Sequence, residues 1–475
     1  MRPYKGLLVS FVRPFGYSYR FDTTDARSCV PTKGYSSRFD TKGYLSLFDY
    51  SDTLQLPLLT MANENLARAQ RAKNDEFYTQ YQDIERELQA YINYDPDLFR
   101  DKTVLLPCDD PEWSEFTRYF AQRFGELGLR KLISTSYAPD SKRLSTPCQP
   151  TLFELDAPQY DPDKTNVRGK IFTLSEDITH DGKVDLADLQ WSYMEGDGDF
   201  RSEEVCRLRD EADIIVTNPP FSLFREFVDW IFEAEKDFLI IGNMNAITYK
   251  NIFPRIAANE MWLGVHNASD MVFAVPEGAY VAPKDKEKAE KLGYVGNYTR
   301  LGNSCWYSNL EHGRRHEELK LMTIEENLRY SRHKEIKGKS FEEAYPRYDN
   351  YDAIEVGFTD AIPSDYDGVM GVPISFLDKY CPEQFEIIGA TESEGKGFSR
   401  GLWDSTSGVT QPVVCRERER ERERDSGSTS VSSSALRIAG HEKYDRPYVQ
   451  GRRLYFRIFI RPRQASTSVA GANEA

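Results

Sequence analysis

The chain has 475 residues, 40% of them hydrophobic and 29% charged, enough for two ordinary domains with a sizeable core. No apolar run approaches the roughly 18 to 20 residues of a membrane span, and the apolar patch near the start is broken by Arg13 and Pro14, so neither a spanning helix nor a secretory signal is expected. The formal net charge of −15 excludes a uniformly basic nucleic-acid binder but not a local basic groove, because phosphate contacts are short-ranged at physiological salt.

The seven cysteines (Cys29, Cys108, Cys148, Cys206, Cys305, Cys381, Cys415) form no CxxC pair. Neither a structural zinc site nor a disulfide framework is expected, and a reducing cytoplasm suits the pattern. The six histidines show no ligand spacing, and His312 and His316, four apart in an Arg-rich stretch, read as a surface feature. No metal is expected.

Along the chain, residues 1–60 come first. The unit Gly16–Thr23 (GYSYRFDT) returns eighteen residues later as Gly34–Thr41 (GYSSRFDT), and two copies of so short a unit cannot stack into a solenoid. This part reads as a poorly ordered extension, with Met61 a plausible alternative start. Residues 61–260 read as an α/β domain. Asn74–Gln80 (NDEFYTQ) precedes a helix expected near Asp83–Tyr91, and Phe77, Tyr78 and Thr79 offer an aromatic wall and a hydroxyl suited to a small cofactor. The bland alternative is a helix start with incidental aromatics.

Strands are expected at Thr103–Pro107, Lys131–Ser136, Asp213–Thr217 and Phe238–Gly242, with helical periodicity between them. Such alternation predicts a mostly parallel, doubly wound sheet whose ligands gather beyond the strands' carboxyl ends. Pro107, Cys108, Asp109 and Asp110 end the first strand. Carboxylates there can accept from the amine and hydroxyls of a nucleoside, although capping of a following helix would use Asp109 and Asp110 equally well. The glycine-rich turn usual in nucleotide folds is missing. Further on, Glu195–Phe200 (EGDGDF) could reach a cofactor's adenine amine through Asp197, with Phe200 stacking on the ring. A calcium loop is the rival, but the later bidentate Glu is out of register, and a solvated turn is the plainest alternative.

The strongest signal is Thr217–Phe221 (TNPPF), directly after an apolar strand and before a helix whose residues Leu223, Phe224, Phe227, Val228, Ile231 and Phe232 share one face, with Ser222 available as N-cap. The N6 lone pair of adenine is delocalised into the ring and is a poor nucleophile. Asn218 and a backbone carbonyl can each accept one amine hydrogen, drawing the nitrogen toward tetrahedral geometry. Pro219 and Pro220 stiffen the loop, and Pro219 contributes a carbonyl and no N–H. Phe221 gives an extruded base a face to stack on. The tetrapeptide alone does not fix the acceptor, because glutamine amides can be activated in the same way.

Residues 261–404 are rich in aromatics and Gly/Asn turns and read as a target-facing region. Residues 405–440 hold the strict Arg/Glu alternation of Arg416–Arg424 and a Ser-rich run, a low-complexity linker or insertion. Within 441–475, Arg452–Arg461 alternates apolar and basic residues, which predicts a strand with one core face and one basic face before a disordered tail.

Taken together, KNDEFYTQYQDIERELQAY, VLLPCDDPEWSEFTRYF, DIIVTNPPFSLFREFVDWI and FLIIGNMNAITYKNIFP resemble the EcoRI-type adenine-specific DNA methyltransferase family, and the resemblance runs from about Lys73 to Trp403. It implies an α/β, Rossmann-like doubly wound methyltransferase sheet with a C-terminal target-recognition region, S-adenosylmethionine as cofactor and double-stranded DNA as substrate. It places Asn218, Pro219 and Phe221 on the adenine and Phe77, Tyr78, Thr79, Asp109 and Asp197 around the cofactor. The order of segments matches the gamma arrangement of amino-methyltransferases. A monomer is expected, either with a cognate restriction endonuclease as genetic rather than physical partner or as a solitary phage or mobile-element enzyme. Methylation of RNA adenine or protein glutamine, and a DNA-binding protein without transfer activity, are the alternatives.

Overall fold

The computed structural model describes residues 78–109, 114–138, 157–180, 182–184, 188–267, 271–275, 281–349, 351–391 and 447–463. The expectations for residues 1–60, for 405–440 and for Phe77 and Asp110 lie outside the described residues.

The chain runs β1 (Tyr78–Thr79), α1 (Tyr81–Tyr94), β2 (Thr103–Leu106), α2 (Glu115–Gln122), α3 (Phe124–Leu127), β3 (Lys131–Ser136), β4 (Lys170–Leu174), β5 (Gln190–Tyr193), α4 (Glu203–Glu211), β6 (Ile214–Thr217), α5 (Phe224–Glu233) and β7 (Asp237–Asn243). It continues through α6 (Phe253–Ala257), β8 (Trp262–Leu263), β9 (Val272–Ala274), α7 (Pro283–Lys291), β10 (Tyr298–Arg300) and β11 (Ser304–Ser308). Eight of these strands form one sheet in the order β5-β4-β3-β2-β6-β7-β11-β8.

The centre of that sheet, β3-β2-β6-β7, is parallel. Its flanks are not: β4 and β5 on one side, β11 and β8 on the other, run antiparallel. The sheet is therefore mixed rather than mostly parallel, and the sequence carries the reason. β2 and β6 (TVLL, IIVT) are buried at every residue, as strands covered on both faces must be. β4 (KIFTL) instead alternates buried with half-exposed residues, the mark of an antiparallel strand near an edge.

Helices cover both faces. Val104, Leu106, Ile214, Val216, Leu239 and Ile241 point to one side and pack with Ile84, Leu88 and Tyr91 of α1 and Phe116, Tyr119 and Phe120 of α2. Leu105, Ile215, Phe238 and Ile240 point to the other and pack with Phe224, Phe227, Val228 and Ile231 of α5. The i, i+4, i+7 spacing of Ile84, Leu88 and Tyr91 is what lays α1 flat on the sheet. Ser222 does not cap α5; a 3-10 turn over Phe221–Leu223 leads into the helix without a side-chain cap.

After α8 (Ile324–Tyr330), α9 (Phe341–Ala344), β12 (Ile354–Glu355), β13 (Met370–Pro373) and β14 (Phe385–Ala390), the described chain ends with β15 (Tyr448–Val449), β16 (Arg452–Arg453) and β17 (Arg457–Pro462). The last strand is inserted between β13 and β14 in a second sheet of order β12-β13-β17-β14. Its expected basic face is largely used up. Ile458 and Ile460 join the α5-side core, while Phe459 on the opposite face packs against Tyr348 and Tyr351. Arg457 is half-buried in an ion pair with Glu355 at 2.8 Å, and only Arg461, paired with Glu386, stays exposed on that face of the strand.

His312 also departs from expectation. It is buried edge-on against Tyr91, with Nε2 against the Leu263 carbonyl at 3.1 Å, and burial holds its pKa down. His316 does sit toward solvent, between Glu311 and Glu383. Among the described residues no helix is long and apolar enough to cross a membrane.

Candidate active site

From β2 the chain moves to β3 on one side and later returns to β6 on the other, so the carboxyl ends of β2 and β6 lie side by side where the strand order reverses. Pro107, Cys108 and Asp109 leave the first strand there, and Asn218, Pro219 and Pro220 leave the second.

Asp109 ties the two ends together. Its carboxylate accepts from Thr217 Oγ1 at 2.5 Å and from Ser114 Oγ at 2.8 Å, and all three residues are buried. Ser114 in turn caps α2 by accepting from the Phe116 N–H. Ser134 on β3 donates to the Asp109 carbonyl at 2.7 Å and Thr135 to the Pro107 carbonyl at 3.1 Å. Thr117 and Ser134 share a further hydrogen bond at 3.0 Å. The tip of β2 is thus locked by hydroxyls from α2, β3 and β6. Burial pushes the neighbouring Cys108 thiol well above its usual range, with the Asp109 and Asp199 carboxylates adding to the effect.

Asn218 follows Thr217 directly. Its Nδ2 donates to Thr79 Oγ1 at 3.3 Å, across 139 residues of sequence. Thr79 is held by a three-stranded ladder, β1-β9-β10, in which Thr79 faces Phe273 and Tyr78 faces Ala274. The segment expected to serve the cofactor and the segment expected to serve the acceptor therefore meet at one hydrogen bond. Pro219 is buried and Pro220 half-buried; Phe221 opens the 3-10 turn and lies half-buried against the α1–α2 side of the core.

The Glu195–Phe200 loop docks on the end of β3. Ala138 donates to the Asp197 carbonyl at 2.7 Å and Gly169 to the Gly196 carbonyl at 2.9 Å. Gly198 has φ +83°, and a Cβ there would come within 2.2 Å of the Ser136 carbonyl. Asp197 accepts from the Asp199 N–H at 3.2 Å, and Asp199 is paired with Arg201 at 2.7 Å, which holds its carboxyl below the usual range. Phe200 is placed differently from the cofactor-stacking role expected of it: its ring is buried edge-on against Phe227 and Trp230 in the core and anchors the loop.

The structure thus brings Tyr78, Thr79, Pro107, Asp109, Asn218 and Pro219 into one neighbourhood, adds Ser114 and Ser134, and gives Thr217, known from the sequence only as the head of the TNPPF motif, a partner in Asp109. Only Thr217 carried a signal, its place immediately before the NPPF loop; Ser114 and Ser134 are single hydroxyls with no pattern around them. The arrangement suits a nucleoside cofactor without phosphates. The Asp109 carboxylate stands at the tip of β2, with Asp199 close enough to act on Cys108, where a phosphate site would offer a glycine-rich nest of N–H groups.

A family model described as adenine-specific methyltransferase EcoRI matches residues 65–463. The chain is 42% identical over 328 residues to type II methyltransferase M.EcoRI of Escherichia coli, covering 69% of this chain and 89% of that protein. It is 33% identical to M.MgeORF184P of Mycoplasma genitalium, covering 68% of this chain and 84% of the relative, and 32% identical to M.MpnI of Mycoplasma pneumoniae with the same coverage. No solved structure matches.

Proposed function

The chain belongs to the adenine-specific EcoRI methyltransferase family and is a site-specific DNA adenine methyltransferase, and from that premise we propose how its residues divide the work. The observation that carries the proposal is the hydrogen bond from Asn218 Nδ2 to Thr79 Oγ1. Because an amide is planar, fixing Nδ2 on Thr79 also fixes the direction of Oδ1, which becomes a preset acceptor. Asn218 Oδ1 and the Pro219 carbonyl take the two N6 hydrogens of an adenine turned out of the duplex, and Phe221 lies against its ring. The two prolines keep this corner rigid, so little reorganisation is needed when the base arrives.

S-adenosylmethionine, when bound, supplies an electrophilic methyl on a cationic sulfonium, the N–CH3 bond forming as the S–CH3 bond breaks. Tyr78, Thr79, Pro107 and the Asp197 loop would hold it, within a Rossmann-like sheet. The buried Asp109 carboxylate, engaged by Ser114 and Thr217, adds negative charge suited to a cationic ligand. The surplus amine proton leaves to water after transfer, and no side chain needs to remove it beforehand. Residues 261–404 serve as the target-recognition region, and the enzyme works as a monomer in the cytoplasm, genetically paired with a restriction endonuclease.

The test is direct. Purified protein is incubated with labelled S-adenosylmethionine and duplex DNA, and the modified nucleoside is identified. N6-methyladenine is expected; another methylated base would overturn the assignment of the acceptor atom. Asn218→Ala is expected to cut transfer about a hundredfold or more while leaving donor binding nearly intact, and near-normal turnover would remove Asn218 from its role.

A further inference from the structure

Strands β15 and β16 form a two-residue hairpin, Val449 facing Arg452, whose central residues Gln450 (φ 50°) and Gly451 (φ 77°) both lie in the left-handed region. That is the type I′ geometry, the tightest and most strongly twisted hairpin turn. Glutamine is strained there, and the strain is held in place. The Asp349 carboxylate accepts from the Gln450 N–H at 3.2 Å and the Gly451 N–H at 2.7 Å, while the Asp349 N–H donates to the Tyr448 carbonyl at 2.8 Å. Val449 and Leu454 pack on the Tyr348, Tyr351 and Phe459 cluster. These contacts tie the hairpin to the second sheet.

What it presents is charge. Arg452 and Arg453 are exposed, and among the described residues neither guanidinium has an ion pair or a hydrogen bond. This contrasts with Arg457 and Arg461 just beyond, which are paired with Glu355 and Glu386. In a chain of net charge −15, two unpaired arginines on a strained, anchored tip fit a polyanion. Their position fits as well. Phe456, three residues past Arg453, packs edge-on against Phe253 at 5.9 Å. Phe253 opens α6, reached from the carboxyl end of β7 through the 3-10 turn Met244–Thr248, and β7 lies parallel beside β6. The strand that leaves the hairpin therefore packs on the segment that follows β7, the parallel neighbour of β6.

We propose that the hairpin Tyr448–Arg453 is a DNA-docking element whose Arg452 and Arg453 contact backbone phosphates of the substrate duplex, holding it over the Asn218 corner. The proposal rests on duplex DNA being the substrate. Each phosphate contact contributes about 0.9 to the slope of log affinity against log salt. The double variant Arg452→Gln/Arg453→Gln is expected to lower that slope by about two for a duplex of roughly 30 base pairs, and to raise the KM for DNA about tenfold or more. The charge-keeping Arg452→Lys/Arg453→Lys variant retains most of the slope. Thermal unfolding of each variant is measured alongside, to show that the fold is kept. A folded glutamine variant with the wild-type slope and KM sinks the proposal, as does a change of preferred site with the slope intact, which would mean base reading instead. Failure of the wild-type protein to methylate any duplex would sink the underlying function, a separate result.

Discussion

Asp109 shows how much structure one buried carboxylate can hold together. Two hydroxyls donate to it, one from the helix that follows β2 and one from the residue before Asn218. Asp109→Ala would leave the buried Ser114 and Thr217 hydroxyls without that acceptor, and a loss of about 1–3 kcal/mol in unfolding free energy is expected from denaturant titration. Thr79 acts more locally. Thr79→Val keeps the shape but removes the acceptor for Asn218 Nδ2, so kcat should fall about tenfold while the melting temperature barely moves; an unchanged kcat would mean that the hydrogen bond does not orient the amide. Cys108 offers a chemical check. Burial beside Asp109 keeps its thiol neutral at pH 8, so iodoacetamide should modify it slowly in the native protein and quickly once unfolded.

At the scale of elements, the Glu195–Phe200 loop is placed by a close approach of backbones. Gly198→Ala would force a Cβ against the Ser136 carbonyl in a left-handed backbone, and more than about 1 kcal/mol of destabilisation is expected, with donor binding weakened as the loop shifts. Isothermal titration of the donor and thermal unfolding would read the two effects separately. The parallel strands were legible in the sequence because their apolar runs are short, unbroken and bounded by turn residues. β3 falls on Lys131–Ser136 as expected, and β6 and β7 differ from their expected limits by a residue at one or both ends. The antiparallel flanks were not legible. Whether a strand pairs parallel or antiparallel depends on where its partner lies, and β11 meets β7 only after some sixty intervening residues.

For the whole molecule, the second sheet leans on one buried ion pair. Arg457 and Glu355 are both largely enclosed, and Tyr348 also donates to Glu355. Arg457→Ala would strand a buried carboxylate, at a cost of about 3–5 kcal/mol, measurable as a fall in denaturation midpoint. The family match begins only at residue 65, which motivates the opposite expectation for the other end of the chain. Removing residues 1–60 should leave methyl transfer at the full-length rate, and a lost activity would show that the extension is needed.

The sequence by itself marked out the NPPF corner and the parallel centre of the sheet, because an apolar strand followed by such a corner is a local pattern, set by neighbours in the chain. Only the tertiary structure decided what each polar group faces. It turned Asp109 toward Thr217 and Ser114, took Phe200 into the core, buried His312, and set Thr79 against Asn218. Those outcomes depend on contacts between residues far apart in sequence. A side chain's partner is fixed by the packing of whole elements, which no local pattern records.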